Sequence, residues 1–286
     1  MHEDDKPSAR PDRVTVLVWF VLPLLLGILA SFLIPQPIIG IIRLNDAIFS
    51  STAEELVAQI DYARIHPEIR AVVLILNSPG GTVVDTETVY LELIKLQGEK
   101  PVVTYVQGLS ASGAYYLSVA TNHILSGPSS LIGNVGVIAS LPPDSFILED
   151  IVTTGPYKMF GTPRDAALRE MEIIKQGFYQ AVTLGRGDRL NISPAVLLSA
   201  QIWPASEAVR LGLIDGLSSQ SDALDVAASM ALIRNYKVAE VADLAGLNEP
   251  VLYPFFMETP EGLITPYPKK PGLYLLYIPG ADRRLP

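Results

Sequence analysis

From residue 38 onward, runs of aliphatic and β-branched residues alternate with amphipathic stretches. The runs at residues 38–44, 71–76 and 101–106 are rich in Val, Ile and Leu, as is typical of strands buried on both faces. The stretches at residues 52–63 and 84–97 instead place their apolar residues at helical spacing. This order predicts an α/β domain with a parallel sheet and crossover helices. Ligands of such sheets bind beyond the carboxyl ends of the strands.

The first of these helices carries a Thr52-Ala53-Glu54-Glu55 sequence, whose spacing predicts a capping box with Thr52 as the N-cap. Beyond Asn248, prolines interrupt aromatic patches, which predicts an irregular extension packed on the domain, on a neighbouring subunit or on a membrane. The other predicted elements are two short strands, at residues 121–125 and 134–139, and helices at residues 164–184, from Ser193-Pro194 onward, 205–211 and 223–233.

An apolar segment without charge occupies residues 14–34 and is long enough to cross about 30 Å of hydrocarbon. It lacks the shorter apolar region and the small-residue cleavage site of a signal peptide, so we expect a retained transmembrane anchor. Lys6, Arg10 and Arg13 precede the segment, whereas only Arg43 follows it closely. This difference predicts an N-terminus in the cytoplasm and the rest of the chain outside.

The composition narrows the possible functions. The chain has 286 residues, 49% of them hydrophobic, which suffices for the full core of one or two domains. A formal net charge of −9 without a basic cluster argues against nucleic acid as a partner. The sequence has no cysteine, which excludes thiol catalysis, disulfides and cysteine metal sites. It also lacks the phosphate-binding pattern of nucleotide hydrolases.

A turn rich in Gly and Ser, from Gly108 to Tyr116, has Ser112 at its centre, between a predicted strand and a predicted buried helix at residues 114–120. At such a turn, the free N–H groups of a helix N-terminus can stabilise an oxyanion. The turn Asn77-Ser78-Pro79-Gly80-Gly81 follows the neighbouring strand, and its glycines permit conformations that expose N–H groups. Two such turns at adjacent strand ends predict an acyl-transfer site with Ser112 as the nucleophile.

A serine nucleophile needs a base, and the chain offers few candidates. His123, at a strand start, and His66, before Pro67 at the end of an exposed helix, are more typical of structural histidines. A lysine can act as the base if burial lowers its pKa. Lys158 lies beside Tyr157 in an apolar stretch flanked by glycines, whereas the other lysines, Lys100 among them, have the pattern of solvated surface groups.

Five motifs, taken in order, resemble the signal peptide peptidase A family, and the resemblance covers about residues 38–235. It implies a membrane-anchored Ser/Lys protease whose fold is related to the Clp protease subunit and the crotonases. The motifs are Asn77-Ser78-Pro79-Gly80-Gly81, Lys100-Pro101-Val102-Val103, Ser110-Ala111-Ser112-Gly113 with Tyr115-Tyr116, Gly133-Asn134-Val135-Gly136-Val137, and Tyr157-Lys158.

The resemblance implies a role for each matching residue. Ser112 is implied as the nucleophile, Lys158 as the general base, and the backbone N–H groups of Gly80 and Gly113 as the oxyanion hole. Asn134 stands where the family commonly has a serine that orients the lysine, and its amide oxygen can accept the same hydrogen bond. For substrate binding we expect backbone pairing with strand edges near Gly81 to Val83 and Val137 to Ser140.

The implied fold is a Clp protease/crotonase-like spiral of repeated β-β-α units with C-terminal helices, preceded by one transmembrane helix. It divides the chain into a cytoplasmic tail, an anchor, a protease domain and a Pro-rich extension. No cofactor or metal is implied. The expected partners are peptide substrates, the lipid bilayer and further copies of the chain in a homo-oligomer. The boundaries of the four parts are residues 1–13, 14–34, 35–247 and 248–286.

The expected function is degradation of signal-peptide remnants and other hydrophobic or unfolded peptides outside the cytoplasmic membrane. Three alternatives stay open. One is the related membrane protease that works with a stomatin partner. Another is a crotonase-like acyl-CoA enzyme, which would not need Ser112 or Lys158. The third is an inactive, scaffold-like relative in which Asn134 has disabled the dyad.

Overall fold

A computed structural model of the chain describes residues 17–31, 36–140, 154–155, 157–158, 161, 163–247, 257–259, 262–264 and 272–277. The chain forms two compact units, residues 1–36 and residues 37–286. In the first unit a π-helical turn, Leu17–Val21, continues into helix α1, Leu22–Ser31. No helix within the described ranges is long and apolar enough to cross a membrane. The predicted anchor includes residues 14–16 and 32–34, which lie outside those ranges, and it stays a prediction.

The second unit is built on a parallel sheet, in the strand order β10-β1-β2-β4-β5-β9. All five pairings along this path are parallel, so the predicted α/β architecture is confirmed. A short β6 pairs parallel with β4, and β8 pairs antiparallel with β6. The strands of this sheet are β1 Ile38–Leu44, β2 Ile69–Ser78, β4 Val102–Ala111, β5 His123–Ser126, β6 Leu131–Gly133, β8 Ile202–Pro204, β9 Gly216–Leu217 and β10 Lys237–Glu240.

Helices cover both faces of the sheet because the side chains of each buried strand alternate between the faces. One core contains Val72, Leu74 and Leu76 with apolar residues of α2 and α3, and another contains Val73 and Ile75 with alanines of α8. The helices of the second unit are α2 Ser50–Ile65, α3 Val83–Glu99, α4 Gly113–Ser118, α5 Arg164–Arg186, α6 Pro194–Leu197, α7 Ala205–Ala208, α8 Gln220–Met230 and α9 Val241–Leu244, with a 3₁₀ turn at Gly187–Arg189.

Two smaller sheets involve the C-terminal extension. Strand β13, Gly272–Leu276, lies between β3, Gly80–Thr82, and β7, Ile138–Ser140, and is antiparallel to both. Strands β11, Met257–Thr259, and β12, Gly262–Ile264, form a hairpin. The extension therefore packs, through β13, on the domain of its own chain.

Three predicted elements differ from the structure. Helix α2 begins at Ser50 after the N-cap Phe49, and the Thr52 hydroxyl accepts the Phe49 N–H from inside the first turn, so Thr52 as the N-cap is wrong. The strand expected at residues 134–139 is interrupted, because positive φ angles at Gly133 and Asn134 turn the chain between β6 and β7. Strand β4 continues to Ala111, so Gly108 lies within it.

Candidate active site

Ser112 lies between β4 and α4 with a backbone conformation that non-glycine residues seldom adopt. Its φ is 54° and its ψ is −121°, and its N–H donates to the Gly133 carbonyl at 2.8 Å. A conformation of this kind costs on the order of 1–3 kcal/mol and persists only where the surroundings enforce it. The sharp turn between strand and helix that presents a catalytic serine in α/β hydrolases has the same features.

The surroundings that enforce this turn are buried hydrogen bonds of α4. The Ser110 and Ser118 hydroxyls lie 2.8 Å apart, which joins the end of β4 to α4. The Tyr115 hydroxyl donates to the Leu213 carbonyl at 2.8 Å. All six residues of α4 are buried, so the helix is fixed on every side and holds Ser112 in its strained conformation.

Gly80 and Gly113, predicted as the oxyanion hole, lie in direct contact. Gly80 has a φ of +92°, and a Cβ atom added to it would lie 2.5 Å from the Gly113 nitrogen. A Cβ atom added to Gly113 would lie 3.2 Å from the Gly80 Cα. Here the Gly80 N–H donates to the Ser78 hydroxyl at 3.2 Å. Only glycine fits at either position, and Gly113 itself directly follows the strained serine.

Lys158, predicted as the base, lies in a turn in which its N–H donates to the Gly155 carbonyl at 3.2 Å. Its side chain is exposed, so the expectation that Lys158 differs from solvated lysines is wrong for this structure. Residues 156, 159 and 160 lie outside the described ranges. The structure describes no contact between Lys158 and Ser112, and their dyad stays a prediction.

Asn134, predicted to orient the lysine, has a φ of 58° and faces the loop before β8. Its side-chain amide donates to the Ala200 carbonyl at 2.8 Å, and its backbone N–H donates to the Gln201 carbonyl at 2.7 Å. These bonds hold the segment after β6 against its antiparallel partner. The described contacts include none between Asn134 and Lys158, so the orienting role also stays a prediction.

Lys100 is half-buried, contrary to its placement among surface groups. Its ammonium donates to the carbonyls of Ala63, at 2.5 Å, and His66, at 2.6 Å, and so caps the C-terminus of α2. Burial lowers the pKa of Lys100. It precedes the amino end of β4, so it is distant from Ser112 and has a structural role.

Neither histidine lies near Ser112. His123 begins β5 and pairs with Val103, which lies eight residues before Ala111 on β4, or about 26 Å along an extended strand. The His66 ring stacks on Tyr62 at a centroid distance of 3.7 Å, shortly before β2 begins. Both are at the amino ends of their strands, which agrees with their structural interpretation.

The two predicted substrate-binding edges lie on either side of one groove. Gly81 belongs to β3, where a Cβ atom would lie 1.8 Å from the Ile48 carbonyl oxygen. Val137 precedes β7 and is half-buried. Val83 does not continue the β3 edge, because Thr82 caps α3 and Val83 is its buried first residue. The groove is therefore bordered by β3 and β7, and β13 occupies it.

Thr86 is a residue of this site that the sequence interpretation missed. It is fully buried on α3, and its hydroxyl has no hydrogen-bond partner within the described part of the chain. A Cβ atom added to Gly113 would lie 2.7 Å from this hydroxyl oxygen. Thr86 precedes Val89 and Leu93 at helical spacing, so the pattern indicates only a core position.

Replacing Thr86 by valine is expected to keep or raise the free energy of unfolding, by up to about 1 kcal/mol. Valine has nearly the same shape, and a buried hydroxyl without a partner is destabilising. Urea unfolding of Thr86→Val and of the parent chain measures the difference. A loss of more than about 1 kcal/mol would show that the hydroxyl has a stabilising partner after all.

Two family models and several known proteins match this chain. The model of peptidase family S49 matches residues 94–234, and that of Clp protease matches residues 38–128. Protease 4 of Salmonella typhi is 28% identical over 220 residues, which cover 72% of this chain and 35% of the relative. A putative signal peptide peptidase SppA of Enterococcus faecium is 28% identical over 172 residues, which cover 55% of this chain and 50% of the relative.

A structure of the 1510-N membrane-bound stomatin-specific protease, in a serine-to-alanine mutant form, has a TM-score of 0.50 to this chain. The match covers 72% of this chain and 98% of that one, at 15% sequence identity, and it shows a shared fold. The parallel sheet and the Clp protease match agree with this fold. The chain spans a third to a half of the length of the two curated relatives described above.

Proposed function

Because the chain belongs to the signal peptide peptidase A family, within peptidase family S49, we propose that it is a membrane-anchored serine endopeptidase. Ser112 is its nucleophile and Lys158 its general base. The observation that carries the proposal is the strained turn at Ser112, which adjoins the paired glycines Gly80 and Gly113. A serine needed only for packing has no reason to occupy a conformation that costs free energy.

In the proposed reaction, the Ser112 hydroxyl oxygen attacks the carbonyl carbon of a peptide while Lys158 accepts the hydroxyl proton. The carbonyl oxygen becomes an oxyanion, which the Gly113 N–H stabilises by about 3 kcal/mol. The Gly80 N–H adds a similar amount once it turns from the Ser78 hydroxyl to the oxyanion. Lys158 then passes the proton to the leaving amine, and water hydrolyses the acyl-enzyme. To accept the proton, Lys158 moves from its exposed turn to the serine, and substrate over the groove excludes water from the pair.

The substrates we propose are signal-peptide remnants and other hydrophobic or unfolded peptides. An extended peptide would take the place of β13 between β3 and β7, with the backbone hydrogen bonds that β13 makes on both sides. The apolar segment at residues 14–34 would keep the enzyme beside membrane-derived peptides, with its catalytic domain outside the cytoplasm. Assembly into a homo-oligomer belongs to the same proposal.

A stomatin-associated protease is a second candidate, since the structural neighbour with that name shares the fold. That likeness carries no information on the partner. An acyl-CoA enzyme of the crotonase type would gain nothing from a strained serine, and an inactive scaffold would have no use for it either. Covalent reaction of Ser112 with a serine-directed inhibitor would separate the proteases from both of these alternatives.

Cleavage of fluorogenic hydrophobic peptides by the full chain tests the function. Lys158→Ala is expected to lower kcat by about 10²- to 10⁴-fold, which is typical of the loss of a general base. Lys95→Ala is the matched control, because Lys95 is an exposed lysine paired with Glu92 on α3, and it should leave kcat unchanged. If Lys158→Ala keeps full activity, another base serves Ser112. If the parent chain cleaves no peptide, the result would favour an inactive scaffold over a protease.

A further inference from the structure

The hydroxyl of Thr86 is a buried polar group that borders the proposed oxyanion hole. Thr86 lies on α3 and is fully buried, and its hydroxyl has no hydrogen-bond partner among the residues that the structure describes. Buried hydroxyls are nearly always hydrogen-bonded, because a buried hydroxyl without a partner is destabilising. Valine would fill the same space without this cost, so the hydroxyl points to a function rather than to packing.

Two other helical threonines show the bond that Thr86 does not make. The Thr88 hydroxyl, on the same helix, donates to the Val84 carbonyl at 2.8 Å. The Thr183 hydroxyl donates in the same way to the Tyr179 carbonyl at 2.9 Å. A carbonyl four residues earlier is the ordinary partner of a helical threonine. The Thr86 hydroxyl makes no such bond within the described ranges, so it is available to a group outside its own helix.

The Thr86 hydroxyl lies on the side of Gly113 that a side chain would occupy. A Cβ atom added to Gly113 would be 2.7 Å from the Thr86 oxygen and 3.2 Å from the Gly80 Cα. The Leu275 carbonyl oxygen of β13 lies 3.1 Å from the same point. The hydroxyl and a peptide carbonyl therefore share one face of Gly113, the residue that directly follows Ser112.

The backbone donors of the oxyanion hole leave a place for a further donor. The Gly80 N–H donates to the Ser78 hydroxyl at 3.2 Å, so it is engaged before a substrate carbonyl becomes an oxyanion. The donors that stabilise an oxyanion best are those that stand ready, in a site without water, where its charge develops. The Thr86 hydroxyl meets this condition, because it is buried and has no described bond to give up.

On the basis of the proposed function, we propose that Thr86 is a catalytic residue, the third donor of the oxyanion hole. As the Ser112 oxygen bonds to the peptide carbonyl carbon, the π electrons of the carbonyl move onto its oxygen, and the Thr86 hydroxyl donates a hydrogen bond to that oxyanion. Thr86 keeps its own proton, so the proton transfer between Ser112 and Lys158 is unchanged. Because this bond forms as the charge develops, it lowers the barrier without strengthening substrate binding.

Steady-state cleavage of a fluorogenic hydrophobic peptide by the full chain tests this role. Thr86→Val removes the donor and keeps the shape, so kcat should fall by about 10²-fold while KM stays near the parent value. Thr86→Ser keeps the hydroxyl and should restore most of the activity. The control is Thr88→Val, because Thr88 is exposed on the same helix and its hydroxyl bonds within that helix, and it should leave kcat unchanged.

Inhibition by a peptide aldehyde provides a measurement that does not depend on turnover. The aldehyde forms a tetrahedral adduct with the Ser112 hydroxyl, and the oxygen of that adduct occupies the oxyanion hole. Thr86→Val should weaken this inhibition by about 10²-fold, the same factor by which it lowers kcat/KM. Binding of the corresponding peptide alcohol, which forms no adduct, should not change. A packing defect would weaken both ligands alike and would overturn the assignment.

The outcomes separate the role of Thr86 from the proposed function. A Thr86→Val chain that cleaves peptide as fast as the parent would refute the role of Thr86 and leave Ser112 as the nucleophile. A loss that Thr86→Ser does not restore would also refute it, since the effect would then belong to the shape of the side chain. A parent chain that neither cleaves peptide nor binds the aldehyde would refute the proposed function, and the role of Thr86 with it.

Discussion

Replacing Ser112 by alanine is expected to lower kcat for hydrophobic peptides by about a millionfold, to the limit of detection. Loss of the nucleophile removes the covalent route, and losses of about this size are known for serine proteases. The Gly80 and Gly113 N–H groups and the groove remain, so peptide binding should persist while turnover stops. Peptide cleavage and fluorescence binding, measured on the same preparation, separate the two effects.

Because Ser112 is strained, a second substitution at this position serves as a matched control for the loss of activity. Alanine keeps the energetic cost of a φ of 54°. The free energy of unfolding of Ser112→Ala should therefore lie within about 0.5 kcal/mol of the value for the parent chain. Glycine adopts this φ without penalty, so Ser112→Gly should be equally inactive but more stable, by about 1 kcal/mol. Activity that survives in either variant would refute Ser112 as the nucleophile. A glycine variant less stable than the alanine variant would show that the turn is not strained.

Local pattern was enough to predict the layers of the domain. The runs at residues 71–76 and 101–106 became β2 and β4, because an unbroken aliphatic run fits a strand buried on both faces. The turn at Ser112 and the glycines Gly80 and Gly113 could be placed beside each other, because both follow the carboxyl ends of adjacent parallel strands. The order and the parallel direction of the two strands are enough to bring these turns to the same edge of the sheet.

Contacts made by distant parts of the chain could not be predicted in this way. The pairing of β13 with β3 joins residues about 190 positions apart, and the sequence at Gly272 to Leu276 indicates only an apolar patch. Lys100 looks solvated in sequence, yet it caps α2, because its burial depends on a helix end more than thirty residues away. Lys158 shows the reverse, an apolar local sequence around an exposed side chain.

The buried ion pair of Arg186 and Asp215 connects the C-terminal helices to the site. The two guanidinium nitrogens of Arg186 donate to the two carboxylate oxygens of Asp215 at 2.9 and 2.8 Å, and the side chains are 1% and 7% exposed. Asp215 also accepts the Ile124 N–H of β5 at 2.8 Å. The carbonyl of Leu213, two residues before Asp215, accepts a hydrogen bond from the Tyr115 hydroxyl of α4. Tyr115 follows Ser112 by three residues.

Replacing Arg186 by methionine is expected to lower the free energy of unfolding by about 3 kcal/mol at neutral pH, because it removes the buried partner of the Asp215 carboxylate and leaves the half-exposed Arg189 to compensate it. Asp215→Asn should also destabilise the chain, since it leaves the Arg186 charge without its partner. The double variant Arg186→Met/Asp215→Leu should recover much of the loss, because apolar groups can replace a buried pair. Urea unfolding of the three variants at one pH measures these differences.

The same pair predicts how stability depends on pH. Burial alone would raise the pKa of Asp215, but the hydrogen bonds and charge of Arg186 hold that pKa below its usual value. The stabilisation is therefore fully present above about pH 3.9, the unfolded value, and is lost as the pH falls through the lower folded pKa. In Asp215→Asn this acid-dependent loss should be absent. An Asp215→Asn chain that loses stability below pH 4 as steeply as the parent would assign the acid sensitivity to other carboxylates. The Arg186 pair would then contribute to stability through packing rather than through its charge.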